Sequence, residues 1–152
     1  MKEVKRMSDQ KQHVWSGILF GIGLMVVIDE VIFHQLLQWH HLYDQSTTSV
    51  GIIADGLLTS FGFFAAVFGL FMFADLRKKS ATRWKRWIGS VCLGAGGFQL
   101  FDGIISHKLL QIHQIRYGVD ILPYDIAWNL FALALIIVGA VIVKRTPFNR
   151  EA

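Results

Sequence analysis

Four apolar stretches, at about Val14–Trp39, Val50–Ala74, Trp87–Ile112 and Ile126–Val143, take up most of this 152-residue chain. Each is close to or above the roughly 20 residues that a helix needs to cross the hydrocarbon of a bilayer. Inside hydrocarbon, backbone N–H and C=O groups have no water to bond, so such stretches are satisfied as helices. Charged residues make up 17% of the chain, against about a quarter in a typical soluble domain, and they are clustered between the apolar runs. The sequence predicts an all-α membrane protein. Its four transmembrane helices form a single domain over residues 1–152, with no separate soluble module.

The basic residues predict an orientation. Lys2, Lys5, Arg6 and Lys11 precede the first helix. Arg77, Lys78, Lys79, Arg83, Lys85 and Arg86 lie between the second and third, and Lys144, Arg145 and Arg150 follow the fourth. The other two connections, 41–49 and 114–124, contain only Arg116. Lys and Arg favour the cytoplasmic side, which puts both termini and the middle loop inside. The net charge of +4 is accounted for by this asymmetry and by anionic lipid headgroups, so the expected partner is the lipid bilayer and no nucleic acid is implied. The first apolar run is too long for a cleaved signal peptide and no small-x-small site follows it, so it is expected to stay in the protein. The single Cys92 excludes an intramolecular disulfide.

One motif is written twice. Val27–His40 reads VIDEVIFHQLLQWH and Leu100–His113 reads LFDGIISHKLLQIH. At a spacing of 73 residues (His34 to His107), 9 of the 20 positions from Gly21 to His40 are identical to Gly94–His113. Asp55, Phe61 and Gly69 in the second helix match Asp125, Phe131 and Gly139 in the fourth. The expected unit is a two-helix hairpin used twice, over about 14–76 and 87–146. Two such hairpins have the same orientation and are related by an axis along the membrane normal, a parallel repeat. Gly17, Gly21 and Gly23 with Gly94, Gly96 and Gly97 would let the first and third helices approach closely.

Ionisable groups are costly in hydrocarbon, so the duplicated ones point to function. They are Asp29, His34, His40 and Asp55 with their mates Asp102, His107, His113 and Asp125. Imidazole and carboxylate are ligand types shared by zinc, copper, iron and manganese, and helical bundles build metal sites by projecting such groups inward. On a regular helix, residues six apart point about 120° from each other. His34 and His40 therefore serve separate layers about 9 Å apart, unless the helix unwinds before His40. Asp29 and His40 share a face but lie about 16 Å apart and cannot meet.

The most economical site pairs His34 with His107, supported by His40, His113, Asp55 and Asp125. Asp29, Asp102, Glu30 and His41 orient the ligands. Helix capping is the rival role for Asp55 and Asp125. Trp39, Tyr43, Tyr117 and Tyr124 fit an interfacial aromatic belt. The stretch from Phe61 to Phe73 fits a lipid-facing and packing surface, and the basic middle loop a solvated one.

Other readings of the same groups stay open. A single b-type haem would use His34 with His107 or His40 with His113. A metal with an open position could serve a membrane hydrolase. The set could also be a hydrogen-bonded packing network. Ion conduction would require an oligomer. No nucleophile motif is present, so no catalytic residue is assigned.

The strings DEVIFHQLLQWHH and DGIISHKLLQIHQIR resemble a family of small bacterial four-pass membrane proteins classed as a domain of unknown function. The resemblance covers nearly the whole chain, including Ala54–Leu57 at the start of the second helix. It implies the bacterial cytoplasmic membrane, and it carries Asp29, His34, His40, His41, Asp102, His107 and His113 as family positions. It also implies an association with assembly of copper-containing respiratory oxidases, with a homo-oligomer or an assembly partner. This chain departs from the family pattern at Glu30, where members have glycine, at Ser106, where they have an acid, and at Lys108 and Gln114, where they have histidines.

Overall fold

The computed structural model describes residues 2–147. Arg150 of the C-terminal basic group lies outside the described residues, as do the side chains of Lys2, Lys5 and Arg6. Every regular element among the described residues is helical. Helix α1 (Lys2–Asp29) runs directly into a wider π-helical segment, π1 (Glu30–Leu36). After α2 (Thr48–Lys78), the third span repeats the pattern, with α3 (Trp84–Phe101) passing into π2 (Asp102–Leu109). Helix α4 (Leu122–Arg145) completes the chain. The spans Met7–Leu36, Thr48–Lys78, Trp84–Leu109 and Leu122–Arg145 are long and apolar enough to cross a membrane.

Local chemistry sets the starts. The Thr47 side chain accepts from the Val50 amide at the head of α2, supplying one of the acceptors that the first turn lacks. Pro123 occupies the first turn of α4, where its missing N–H costs nothing.

Burial is inverted relative to a soluble protein. The fully buried side chains include His13, Glu30, His34, Asp55 and His113, while Phe61, Phe64, Phe71 and Ile137 are mostly exposed. Apolar groups thus face the surroundings and polar groups face each other, as a hydrocarbon solvent requires. The stretch from Phe61 to Phe73 divides between the two roles expected of it: most of its aromatic residues are exposed on the flank, while Phe73 is buried and packs on Trp84 and Trp87 with ring centroids 4.8 and 4.5 Å away.

Helices pack in the order α2–α1–α3–α4, with α1 and α3 in the centre. Glycines permit this. A Cβ on Gly21 would meet the Val91 carbonyl, and one on Gly94 the Ile18 carbonyl, both inside the 3.0 Å that real Cβ atoms keep. These two glycines close the α1–α3 contact from both sides, as expected. Gly23 and Gly96 do not join it. They face α2 and α4, against the Gly62 and Ala132 carbonyls, and a Cβ on Gly97 would meet nothing within 4 Å. On a helix of 3.6 residues per turn, positions two apart cannot share one face.

Both ends of the chain and the middle connection gather at one end of the bundle. Gln12 bonds Asp75 at 2.7 Å, and the His13 ring accepts from the Arg83 amide at 3.0 Å. Arg86 is not solvated, contrary to expectation. It is 8% exposed and donates to the Val143 and Thr146 carbonyls at 2.9 and 2.8 Å, satisfying carbonyls that the end of α4 leaves open.

A Gly94→Val substitution should lower stability by about 2–3 kcal/mol, because the clash is with backbone rather than a yielding side chain. Gly97→Ala should leave it unchanged. Thermal unfolding of the two variants in one detergent checks both.

Candidate metal centre

The site is made where α1 and α3 widen and stop. In π1 and π2 the hydrogen bonds span five residues, from the Leu37 amide to Ile32 O (2.9 Å) and from the Leu110 amide to Ile105 O (2.8 Å). Such insertions are rare and often mark functional sites. Immediately beyond, Gln38 and Gln111 adopt left-handed backbone, with φ of 50° and 52°, which is uncommon for a residue with a Cβ. The chain turns back on itself at both places. The turn is closed by Trp39 N to Phe33 O (2.9 Å) and Ile112 N to Ser106 O (3.1 Å).

Of the two alternatives, separate layers or a helix that unwinds before His40, the structure takes the second, since the helices end at Leu36 and Leu109. Ring centroids of His34 and His40 lie 4.4 Å apart, and those of His107 and His113 lie 4.7 Å apart. His113 Nε2 is 3.5 Å from Asp102 Oδ1, the mate of a pair that a regular helix keeps apart. His40 and His113 stack at 4.7 Å with planes 9° apart. The four imidazoles form one run, His34–His40–His113–His107.

Hydrogen bonds orient three of the four rings, and His107 has none. His40 Nδ1 donates to Ile115 O and His113 Nδ1 donates to Leu42 O, both at 2.9 Å. These bonds are reciprocal: 115 and 42 stand 73 apart, as do 113 and 40. His34 Nδ1 donates to Asp55 Oδ1 at 3.0 Å. A ring that donates from Nδ1 and is neutral keeps a lone pair on Nε2. His34 Nε2 and His40 Nε2 are buried and have no hydrogen-bond partner. Burial, reinforced by His34 and His113 beside it, pushes the His40 imidazole down to about 3, so it is neutral at physiological pH.

Two sets of ligand atoms converge within 4.8 Å. One is His40, His107 and His113, and the other is Glu30, His34 and Asp55, all buried. Asp102 Oδ2 lies 3.0 Å from His107 Nε2. Asp29 Oδ2 lies 3.6 Å from His34 Nε2, and Glu30 Oε1 3.3 Å from His34 Nδ1. Asp55 is the best-connected acid. It accepts from the Leu42 amide (2.7 Å), from His41 Nδ1 (2.6 Å) and from His34.

Nine of the ten singled-out residues thus come together, in an arrangement unlike the one expected. His34 and His107 fall in different triads, because the turns bring His40 and His113 into the run linking them. Asp55 does not cap α2, which begins seven residues earlier with Thr47 as its cap. Asp125 stands apart from both triads and binds Lys108. On its side Gly103 replaces Glu30, and a Cβ there would already meet Trp128 and Asn129. The belt residues Trp39 and Tyr124 pack on each other at 5.7 Å under Arg116, whose guanidinium lies 4.7 Å from the Trp39 ring. Sequence reasoning passed over the Leu42 and Ile115 carbonyls, which carry no side-chain signal. It also passed over Gln99, a buried amide in an apolar helix that hydropathy alone would have flagged.

The family model described as Predicted membrane protein (DUF2243) matches residues 16–146. The chain belongs to that family. The match covers the first span from residue 16 onward, the other three spans entirely and every residue of both triads, in keeping with the expected four-pass family of unknown function. No curated protein and no solved structure matches the chain.

Asp55→Ala would leave the Leu42 amide and two imidazoles without their acceptor. It should cost about 2–3 kcal/mol. Asp125→Ala loses a partly exposed ion pair and should cost under about 1 kcal/mol. Thermal unfolding of this DUF2243 protein and the two variants measures the difference.

Proposed function

We propose that this DUF2243 protein binds a transition metal ion through His40, His107 and His113, with Asp102 as the adjoining carboxylate. The observation that carries the reading is the triad itself: His40 and His113 are tied by Nδ1 to carbonyls, while His40 Nε2 and both ring nitrogens of His107 are buried without a hydrogen-bond partner. Facing lone pairs in a dry interior need a proton donor or a cation between them, and none of the described side chains supplies that donor to His40 Nε2. Tethering Nδ1 to a carbonyl or carboxylate is also how proteins fix the tautomer of a ligating histidine. The nitrogen-rich triad favours zinc, copper or iron over manganese. Such an ion would supply a Lewis-acid or redox centre there. Glu30, His34 and Asp55 form a harder, oxygen-rich set beside it. Rings packed at 4.4–4.7 Å favour an ion over a haem, which needs a slot for its macrocycle.

The two halves read as one duplicated hairpin. Support comes from equivalent conformations and contacts at positions 73 apart, including the left-handed glutamines, the reciprocal histidine bonds and the Gly21 and Gly94 contacts. The basic residues favour a cytoplasmic location for the end holding His13 and Arg86, which puts the histidines near the outer face.

Elemental analysis of protein purified in detergent should find about one ion per chain. The ion should be lost in a His107→Ala/His113→Ala double variant and kept in Asp125→Ala. Protein that purifies metal-free and takes up no added zinc, copper or iron would overturn the reading. For orientation, Ser46→Cys in a Cys92→Ser background should react with an impermeant maleimide from outside intact cells. Reaction only after lysis would reverse the topology.

A further inference from the structure

We infer that a groove between α1 and α4 is a lateral binding site for a membrane-dissolved hydroquinone, whose hydroxyl groups donate to Asp29 and Gln99. The groove encloses about 420 Å³, within the range of small-molecule sites. Its walls are Phe33, Trp39, Tyr124, Trp128 and Phe131. Ile28, Ile32 and Phe131 on its lips are 38–52% exposed on the flank of the bundle, so a ligand enters sideways from lipid rather than from water.

Only two side chains in this apolar space offer unsatisfied polar atoms, and both are almost wholly buried. Asp29 is 2% exposed and Gln99 3%, and Asp29 Oδ1 and Gln99 Oε1 each lack a hydrogen-bond partner. A buried acceptor without a donor is destabilising, and surrounding hydrocarbon provides none. Packing does not demand Gln99 either. The position 73 residues earlier is Val26, fully buried at the same place in the other half. The backbone carbonyl of Gln99 meanwhile accepts from Trp128 Nε1 at 3.1 Å, which fixes that indole as a wall.

The chemistry of the ligand follows from these walls. Two acceptors select a molecule with hydroxyl donors over a phosphodiester headgroup, which offers acceptors only. Aromatic walls select a flat ring. The end of the groove is held by Arg116, which donates to the Tyr124 hydroxyl at 2.6 Å and lies against both the Trp39 and Tyr124 rings. The second oxygen of Asp29 faces His34 Nε2 at 3.6 Å, so an occupant would lie one residue from the histidine run. The inference does not rest on a metal being bound.

The test is a tryptophan-fluorescence and saturation-transfer NMR titration of the whole protein in detergent, without oxygen, using decylhydroquinone. Its dimethyl ether and 1-dodecanol are the comparison ligands. Decylhydroquinone should bind at least about tenfold more tightly than either, the worth of one well-placed hydrogen bond. Gln99→Val should weaken it about tenfold while unfolding at the same temperature as the parent or a higher one. Ala127→Trp, which fills the groove from its exposed lip, should abolish binding. Equal affinity for the ether, or indifference to both substitutions, would overturn the site. Equal or tighter binding of dodecanol would overturn the ligand class. Repeating the titration on chelator-treated protein separates this outcome from the metal reading, since the groove should keep its affinity.

Discussion

Two hydrogen bonds hold the histidine end of this bundle in register: His40 to the Ile115 carbonyl and His113 to the Leu42 carbonyl. Each connects a ring from one half to backbone from the other. In an apolar medium neither ring nor carbonyl has water as an alternative, so the bonds behave as obligatory rather than marginal. Asp44 and Gln45 add to the same crossing by donating to the Ile112 and Gln111 carbonyls. The left-handed glutamines, the stacked imidazoles and the burial of eight acids and histidines all depend on the two outer connections clasping each other in this way.

The helices were legible because their signal is cumulative: some twenty apolar residues in a row admit no other structure in lipid. The residues of the site were legible because ionisable groups are conspicuous in such runs. Their geometry was not. A glutamine in left-handed backbone leaves no mark in the sequence, since Gln38 and Gln111 differ in no obvious way from helical neighbours. Spacing alone left separate layers and an unwound helix equally open, and the turn at Gln38 decides for the second. Asp55 shows the same blindness in another form: an acid near a helix start suggests a cap, yet Thr47 caps the helix and Asp55 reaches inward. Arg86 was misjudged because a basic residue in a connection reads as solvated, whereas the open carbonyls at the end of α4 draw it in.

The two halves place different groups at corresponding positions. Glu30 stands opposite Gly103, Asp55 opposite Asp125, and Val26 opposite Gln99. One half consequently carries a carboxylate-rich pocket around His34. The other fills that volume with Trp128 and Asn129 and diverts its acid to Lys108. The two halves thus present chemically distinct environments, one lined with ligand atoms and one with aromatic surface.

The clasp also dictates an order of events during biogenesis. The first hairpin enters the bilayer carrying Asp29, Glu30, His34 and His40, while Ile115 and His113 are still unsynthesised. Asp55 can satisfy His34 and His41 from within that hairpin, but nothing in it can receive the His40 proton that Ile115 later accepts. The nascent half therefore resides in lipid with an open polar edge until the second half is threaded beside it.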